Sequence, residues 1–259
     1  MSHQLKLFSC HETTRNPKKS GRSGTFVDNM KLPVHRWFRY SAGFSAEWVE
    51  EIVRKSGYES PVILDPFAGS GTVLIAADKL QAVSVGVEAH SFVARIAKAK
   101  TLWASSISEF EEKASEILDD AQSCVDFDTN CPDLVKRSFS PSSLLDLSKL
   151  KKAWQDCRDE SHASELVWLS ITAILRPSSS VNTAQWQYIL PNKPKKNLIS
   201  PFEAFCGQIE IMKSDMKFLQ DQNLVSHAEI LCSDARYCHE VIDKKVGSAK
   251  QVMMHCSDG

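Results

Sequence analysis

The chain has 259 residues, 42% of them hydrophobic and 24% charged, which is the range of a folded protein with one sizeable core. Its formal net charge of −1 excludes a protein that is basic all over, so any contact with nucleic acid has to come from local patches. No uninterrupted apolar run approaches the ~18 residues needed to cross a bilayer, and the polar start MSHQLKLFSCHETTRNPKKSG lacks the apolar core of a signal peptide, so a cytoplasmic protein without a membrane partner is expected.

Residues 1–31 are polar and basic, with Arg15, Lys18, Lys19, Arg22 and Lys31 against Glu12 and Asp28, and read as a flexible basic arm. From Leu32 to Phe44 the sequence mixes aromatic and basic residues. Ser45 then offers an N-cap to an amphipathic helix, AEWVEEIVRKSG, that ends at Gly57 and buries Trp48, Ile52 and Val53. Pro61 to Asp65 is a short apolar strand that breaks into a glycine turn, and Val73 to Leu80 reads as a helix. A second strand covers Ala82 to Val87, with Glu88 at its end, and helical spacing resumes through Phe92, Ile96 and Ala99 to Trp103. Strand and helix in alternation, with buried strands, predict a parallel α/β sheet with helices on both faces.

The character changes after residue 105. Acids dominate from Glu109 to Asp128, a turn-rich patch runs from Cys131 to Ser143, and a charged helix is expected over 144–157. An apolar helix follows over 164–175, then a polar loop with Gln185, Trp186, Tyr188 and Asn192-Lys-Pro-Lys-Lys196, then a helix over about 201–219. The segment of about 105–225 reads as a helical insertion. The sheet resumes with Ala228 to Leu231, Asp234-Ala-Arg236 follow, and Gln251 to Met254 form a last apolar strand. The eight cysteines contain no CxxC pair and fit reduced thiols. Cys232, Cys238, His239, His255 and Cys256 form one loose cluster, but it lacks the close ligand pairs of a structural zinc site, and no metal is expected.

The sharpest feature is Asp65-Pro66-Phe67-Ala68-Gly69-Ser70-Gly71-Thr72 between a strand and a helix, where open α/β sheets bind nucleotides. Glu88 lies about twenty residues on, as a dinucleotide fingerprint asks. Two details oppose that reading: the third glycine position is Leu74, and Asp65 would repel a pyrophosphate. S-adenosylmethionine has no phosphate and carries a sulfonium and an amino group, so an acid at that strand end attracts it. A P-loop is excluded because no GxxxxGK occurs.

DPFAGSGT at 65–72 closely resembles the cofactor motif of the site-specific DNA methyltransferases that modify the exocyclic amino group of adenine or cytosine. HRWFRYSAGFS at 35–45 resembles that family's aromatic segment over the methionine end of S-adenosylmethionine, and GVEAHSFVARIAKAK at 86–100 its second strand and following helix. QWQYILPNKPKK at 185–196 and SDAR at 233–236 look like the segments leading to its third strand. The resemblance implies a Rossmann-like S-adenosylmethionine-dependent methyltransferase fold over 32–259, incomplete at its carboxyl end, and a cytoplasmic restriction-modification enzyme. It implies that Asp65, Phe67, Gly69 and Gly71 cradle the methionine end within the 65–72 loop, that Phe44 and Ser45 cover it, that Glu88 takes the ribose hydroxyls, and that Asp234 with Ala235 meets the adenine. From the residues alone, Glu88 also reads as a solvated strand-end acid, Asp234 as a helix N-cap, and Trp37, Phe38 and Tyr40 as core.

The family frees the target amino nitrogen with Asp, Asn or Ser followed by Pro-Pro-Tyr or Pro-Pro-Phe, whose ring stacks on a flipped-out base. No two of the ten prolines here are adjacent, and Val252 to Met254 lead instead into His-Cys-Ser-Asp-Gly. The catalytic residues are therefore left unassigned. The expectation is the cofactor-binding part of a DNA methyltransferase, with a silent cofactor- or DNA-binding subunit of a split enzyme or defence system as the alternative, and a second polypeptide supplying the catalytic motif as a partner. DNA contact is expected from the basic residues of 15–39 and from Lys193, Lys195 and Lys196, with Trp186 or Tyr188 stacking, although a solvated basic loop reads as well. An unfinished sheet would also leave strand edges exposed and a lone chain marginal.

Overall fold

The computed structural model describes residues 6–9, 28–41, 43–125, 131–181, 195, 198–238 and 251–255. The chain divides into two compact units, one of residues 1–104 and 216–259, the other of residues 105–215.

The first unit is built on five parallel strands: β1 (Lys6–Ser9), β2 (Val62–Asp65), β3 (Val83–Glu88), β4 (Ala228–Cys232) and β5 (Gln251–His255), in the spatial order β1-β5-β2-β3-β4. Helices α1 (Ala46–Lys55), α2 (Thr72–Lys79) and α3 (Ser91–Thr101) complete it. The expected Rossmann-like parallel sheet with crossover helices is thus the observed fold. Ile63 and Leu64 of β2 and Val85 and Val87 of β3 are buried, as strands covered by helices require. The register sets Asp65 beside Gly86 and Glu88 beside Cys232, so the carboxyl ends of β2, β3 and β4 lie in a row.

Within the stretch read as a flexible arm, Lys6–Ser9 form an edge strand on β5 and Asp28–Lys31 a turn of 3-10 helix. Parallel pairing gives the backbone of KLFS a hydrogen-bonding partner that its polar neighbours did not suggest. Residues 10–27 of that stretch lie outside those described.

The helical start at Ala46 also departs from expectation. Ser45 occupies the N-cap position without a side-chain cap. Asn29 does that work from a distance: its Oδ1 accepts from the Ala46 amide at 2.9 Å and its Nδ2 donates to the Phe44 carbonyl at 2.7 Å. Asn29 is itself only 5% exposed. On α1, the buried Glu50 holds Arg54 and Lys79 at 2.8 Å each, joining α1 to α2.

Asp78 is a second buried carboxylate on α2. Its Oδ2 accepts from the Trp103 indole at 2.9 Å and the Ser226 hydroxyl at 2.7 Å, and its Oδ1 from the His227 amide at 2.9 Å. The first unit leaves its sheet near Trp103 and returns to it near Ser226, so one side chain fastens both passages. Burial raises its pKa while these three donors oppose the rise.

The second unit is helical: α4 (Ile107–Ser123), α5 (Asp133–Ser138), α6 (Pro141–Cys157), α7 (His162–Ser178) and most of α8 (Pro201–Gln220). Ser106, Ser140 and Ser161 cap α4, α6 and α7 by accepting from the amides three residues on. The acid-rich stretch proves to be α4, which turns Phe110, Ala114, Ile117 and Ala121 inward on one stripe. Helices α4, α6 and α7 pack on one another around Phe110, Ile117, Leu150, Leu166 and Leu169. No helix among the described residues is long and apolar enough to cross a membrane.

Gly86 sits where β3 passes under the 65–72 turn. A Cβ there would lie 2.8 Å from the Ala68 Cβ and 2.9 Å from the Cδ1 atoms of Leu74 and Ile230. Leu74 and Ile230 have side chains that can rotate, but Ala68 can yield only by moving the turn. Gly86→Ala is expected to lower the unfolding free energy by about 1–3 kcal/mol through overpacking. Urea titration checks this; unchanged stability would contradict the packing.

Candidate active site

The 65–72 turn is shaped by hydrogen bonds to β3 as well as by its glycines. The Ala68 amide donates to the Val87 carbonyl at 2.9 Å, the Gly69 amide to Glu88 Oε2 at 3.0 Å, and the Gly71 amide to the Ala68 carbonyl at 2.8 Å. Gly69 and Gly71 have φ of 52° and 84°, a region that favours glycine. Gly71 lies against α3, where a Cβ would approach the Ala97 Cβ to 3.3 Å. The turn leads directly into α2, with Thr72 as its first residue.

Two carboxylates flank this turn in different environments. Asp65 ends β2 at 2% exposure, and its Oδ1 accepts from the Phe67 amide at 3.0 Å. Burial pushes its pKa up to about 7, the Phe67 amide opposes the rise, and the charge of Glu88 adds to it. Glu88 ends β3 half-buried, and its carboxylate is oriented from both sides: Oε2 accepts from Gly69 and Oε1 from the His90 amide at 2.8 Å. Each oxygen keeps a further lone pair for a hydroxyl.

The Glu88 carbonyl accepts from the Ser233 amide at 3.2 Å, which brings Asp234 and Ala235 beside the same strand ends. Asp234 caps the short 3-10 turn at Ala235–Tyr237 and pairs with Arg236 at 2.6 Å. That pairing lowers its pKa to about 2. A ligand amino group at Asp234 would therefore share the carboxylate with Arg236.

The 35–45 segment approaches from the other side. Tyr40 lines a small pocket with Ser70 and Thr72, and burial, with a smaller contribution from the charge of Glu88, raises its phenol pKa. Gly43 lies against Thr72, its would-be Cβ at 3.5 Å from Oγ1. Trp37 is core at 1% exposure, and the Phe44 ring stacks on Trp48 with centroids 5.1 Å apart. Ser45 is buried, while Phe67 is 54% exposed at the rim. A small pocket of about 10 Å³, the room of one water, opens between Asn29, His35, Phe38, Tyr40, Ser70, Thr72 and Lys100.

Of the residues read from the sequence as a site, Asp65 to Thr72, Glu88, Asp234 and Ala235 lie at the ends of β2, β3 and β4, while Phe44 and Ser45 lie at the start of α1. Asn29, His90 and Lys100, which the structure brings near the turn, are not singled out in the sequence, and Tyr40 reads there as core. Only Tyr40, inside the aromatic segment, carried a sequence signal. Of the expected phosphate contacts, Lys195 donates to the carbonyls of Arg176 and Pro177 at 3.3 and 3.0 Å, closing the end of α7, and Lys31 pairs with Asp28 at 3.1 Å. Arg15, Lys18, Lys19, Arg22, Gln185, Trp186, Tyr188, Lys193 and Lys196 lie outside the described residues. So do His239, Cys256 and the side chain of His255. Among the described residues no group of three or more His, Cys, Asp or Glu side chains is placed to hold a metal ion.

Because the folded pKa of Asp65 is raised from 3.8 to about 7, its contribution to stability is complete below pH 4. As pH rises toward 7 the unfolded chain ionises first, and the contribution falls by roughly 4 kcal/mol in all. Asp65→Asn should remove that slope and leave the variant more stable than the parent at pH 7.5. Parallel stability curves between pH 4 and 8 would contradict the raised pKa.

Residues 4–99 match the model of a DNA methylase family of the N6/N4 type. The chain is 37% identical over 65 residues to the type II methyltransferase M.BsoBI of Geobacillus stearothermophilus, an alignment covering 25% of this chain and 13% of that protein. It is 36% identical over 74 residues to the type II methyltransferase M.AvaI of Nostoc sp., covering 25% of this chain and 15% of that one. The chain thus aligns with about a seventh of the length of these relatives. No solved structure matches it. Residues 4–99, which hold the glycine turn and the strand-end acid Glu88, are thus the part of the chain that is similar to DNA methylases of the N6/N4 type.

Proposed function

We propose that this chain binds S-adenosylmethionine over the 65–72 turn and serves the methylation of an amino group on adenine or cytosine in DNA. The observation that carries the reading is the pairing of a buried acid, Asp65, with a backbone-oriented acid, Glu88, around a turn whose two glycines keep it open. These residues suit a ligand that brings positive charge at one end and a ribose at the other. Bound there, the cofactor would supply a methyl group activated by a sulfonium.

The chain's own part is to bind and orient. Asp65 would face the cationic end, where its ionised form is restored by the ligand's charge. Glu88 would offer its remaining lone pairs to the ribose hydroxyls, and Tyr40 would close the turn from above. The comparisons support the methylase assignment through residues 4–99, and the names of the relatives support a restriction-modification setting. DNA as substrate rests on the same likeness.

Calorimetric titration with S-adenosylmethionine, using NAD as the control, tests the reading. Saturable binding of the methyl donor alone is expected. Gly69→Val should abolish it, because a β-branched residue strains at φ 52°. Glu88→Ala should weaken it by roughly 1.5–3 kcal/mol, the worth of hydrogen bonds to a charged group. Equal affinity in parent and both variants, or binding of NAD instead, would sink the proposal.

A further inference from the structure

Lys100 stands on the last full turn of α3 at 2% exposure. Its Nζ donates across the chain to the carbonyls of His35 at 3.3 Å and Phe38 at 3.4 Å, which bracket the 3-10 turn before Tyr40. An apolar side chain would fill the same space without the cost of burying an amine, so the amine's contribution has to lie in what it holds. Removing it would leave two carbonyls without that donor in the interior. Helix α3 begins just after Glu88, whose carboxylate accepts from the His90 amide at its N-cap. One helix therefore starts three residues after Glu88 and grips the 35–38 turn near its end.

The segment that Lys100 grips continues toward the 65–72 turn: Tyr40 lines a small pocket with Ser70 and Thr72, and Gly43 lies beside Thr72. We propose that Lys100 is a positioning residue that anchors the 35–38 turn on α3, and that through this anchor it sets the affinity for S-adenosylmethionine without touching the ligand. The second half rests on the cofactor reading above. His35, the imidazole of the gripped turn, is buried and neutral, its pKa pushed down to about 3 by burial and then by the charges of Lys100 and Lys79. Burial likewise lowers the Lys100 pKa to about 7, and charged or neutral the amine keeps N–H donors for the two carbonyls.

Lys100→Met keeps the aliphatic stem and removes the donors. Hydrogen exchange followed by mass spectrometry reads the anchor without any ligand, and calorimetry with S-adenosylmethionine reads its consequence. The expected result is faster exchange across 34–44 with unchanged protection in β2 and β3, and affinity lower by about tenfold, the scale of one or two lost hydrogen bonds. Unchanged exchange over 34–44 would overturn the anchor whatever the ligand does. Faster exchange with parental affinity would overturn the link to binding. A parent chain that binds no S-adenosylmethionine would overturn the cofactor reading and with it that link, while exchange still decides the anchor. Should Lys100→Met fail to fold, Lys100→Arg decides: it retains donors, so it must fold and protect 34–44, and an unprotected segment in it would overturn the proposal.

Discussion

The site depends on how closely the turn after β2 lies over β3. At Gly86 the space for a side chain is taken by the Ala68 Cβ, 2.8 Å from where a Cβ would stand, and at Gly71 by Ala97. This contact lets the Ala68 and Gly69 amides reach the end of β3, one at the Val87 carbonyl and the other at the Glu88 carboxylate. A turn set higher would leave Glu88 without its Gly69 donor. Backbone approach, more than side-chain chemistry, fixes the distance between the two acids' environments.

That arrangement places Asp65 and Glu88 in contrasting roles. Asp65 is buried at the end of β2, and burial disfavours its charge. Glu88 is half-buried and already oriented by two amides, so it presents acceptors at no further cost in ordering. Asp78 is also buried with a raised pKa, but three donors satisfy its oxygens, whereas Asp65 accepts, among the described residues, from the Phe67 amide.

Much of this was legible in the sequence, and for identifiable reasons. Asp65 to Thr72 reads as a turn because glycines and a strand-breaking Pro66 follow a short apolar run, and Glu88 stands out by its distance from that turn. Strands at 62–65, 83–88, 228–232 and 251–255 fall where apolar runs predict them. What escaped detection depends on contacts distant in sequence. Lys6–Ser9 becomes a strand only because β5 pairs with it, and Asn29 caps α1 from seventeen residues away. Acid-rich α4 hid a regular stripe of Phe110, Ala114, Ile117 and Ala121 beneath its charge. Lys100 drew no reading of its own, because nothing local announces that the carbonyls of His35 and Phe38 lie within its reach.

The central claim is that a buried Asp65 becomes fully ionised when the cationic end of S-adenosylmethionine reaches it. Calorimetric titration at pH 7 in buffers of differing ionisation enthalpy measures the protons released on binding. With a free-state pKa of about 7 the parent chain should release about half a proton more than Asp65→Asn, since half of Asp65 is protonated before the ligand binds. Identical proton release in the two proteins, or proton uptake by the parent relative to the variant, would contradict the account.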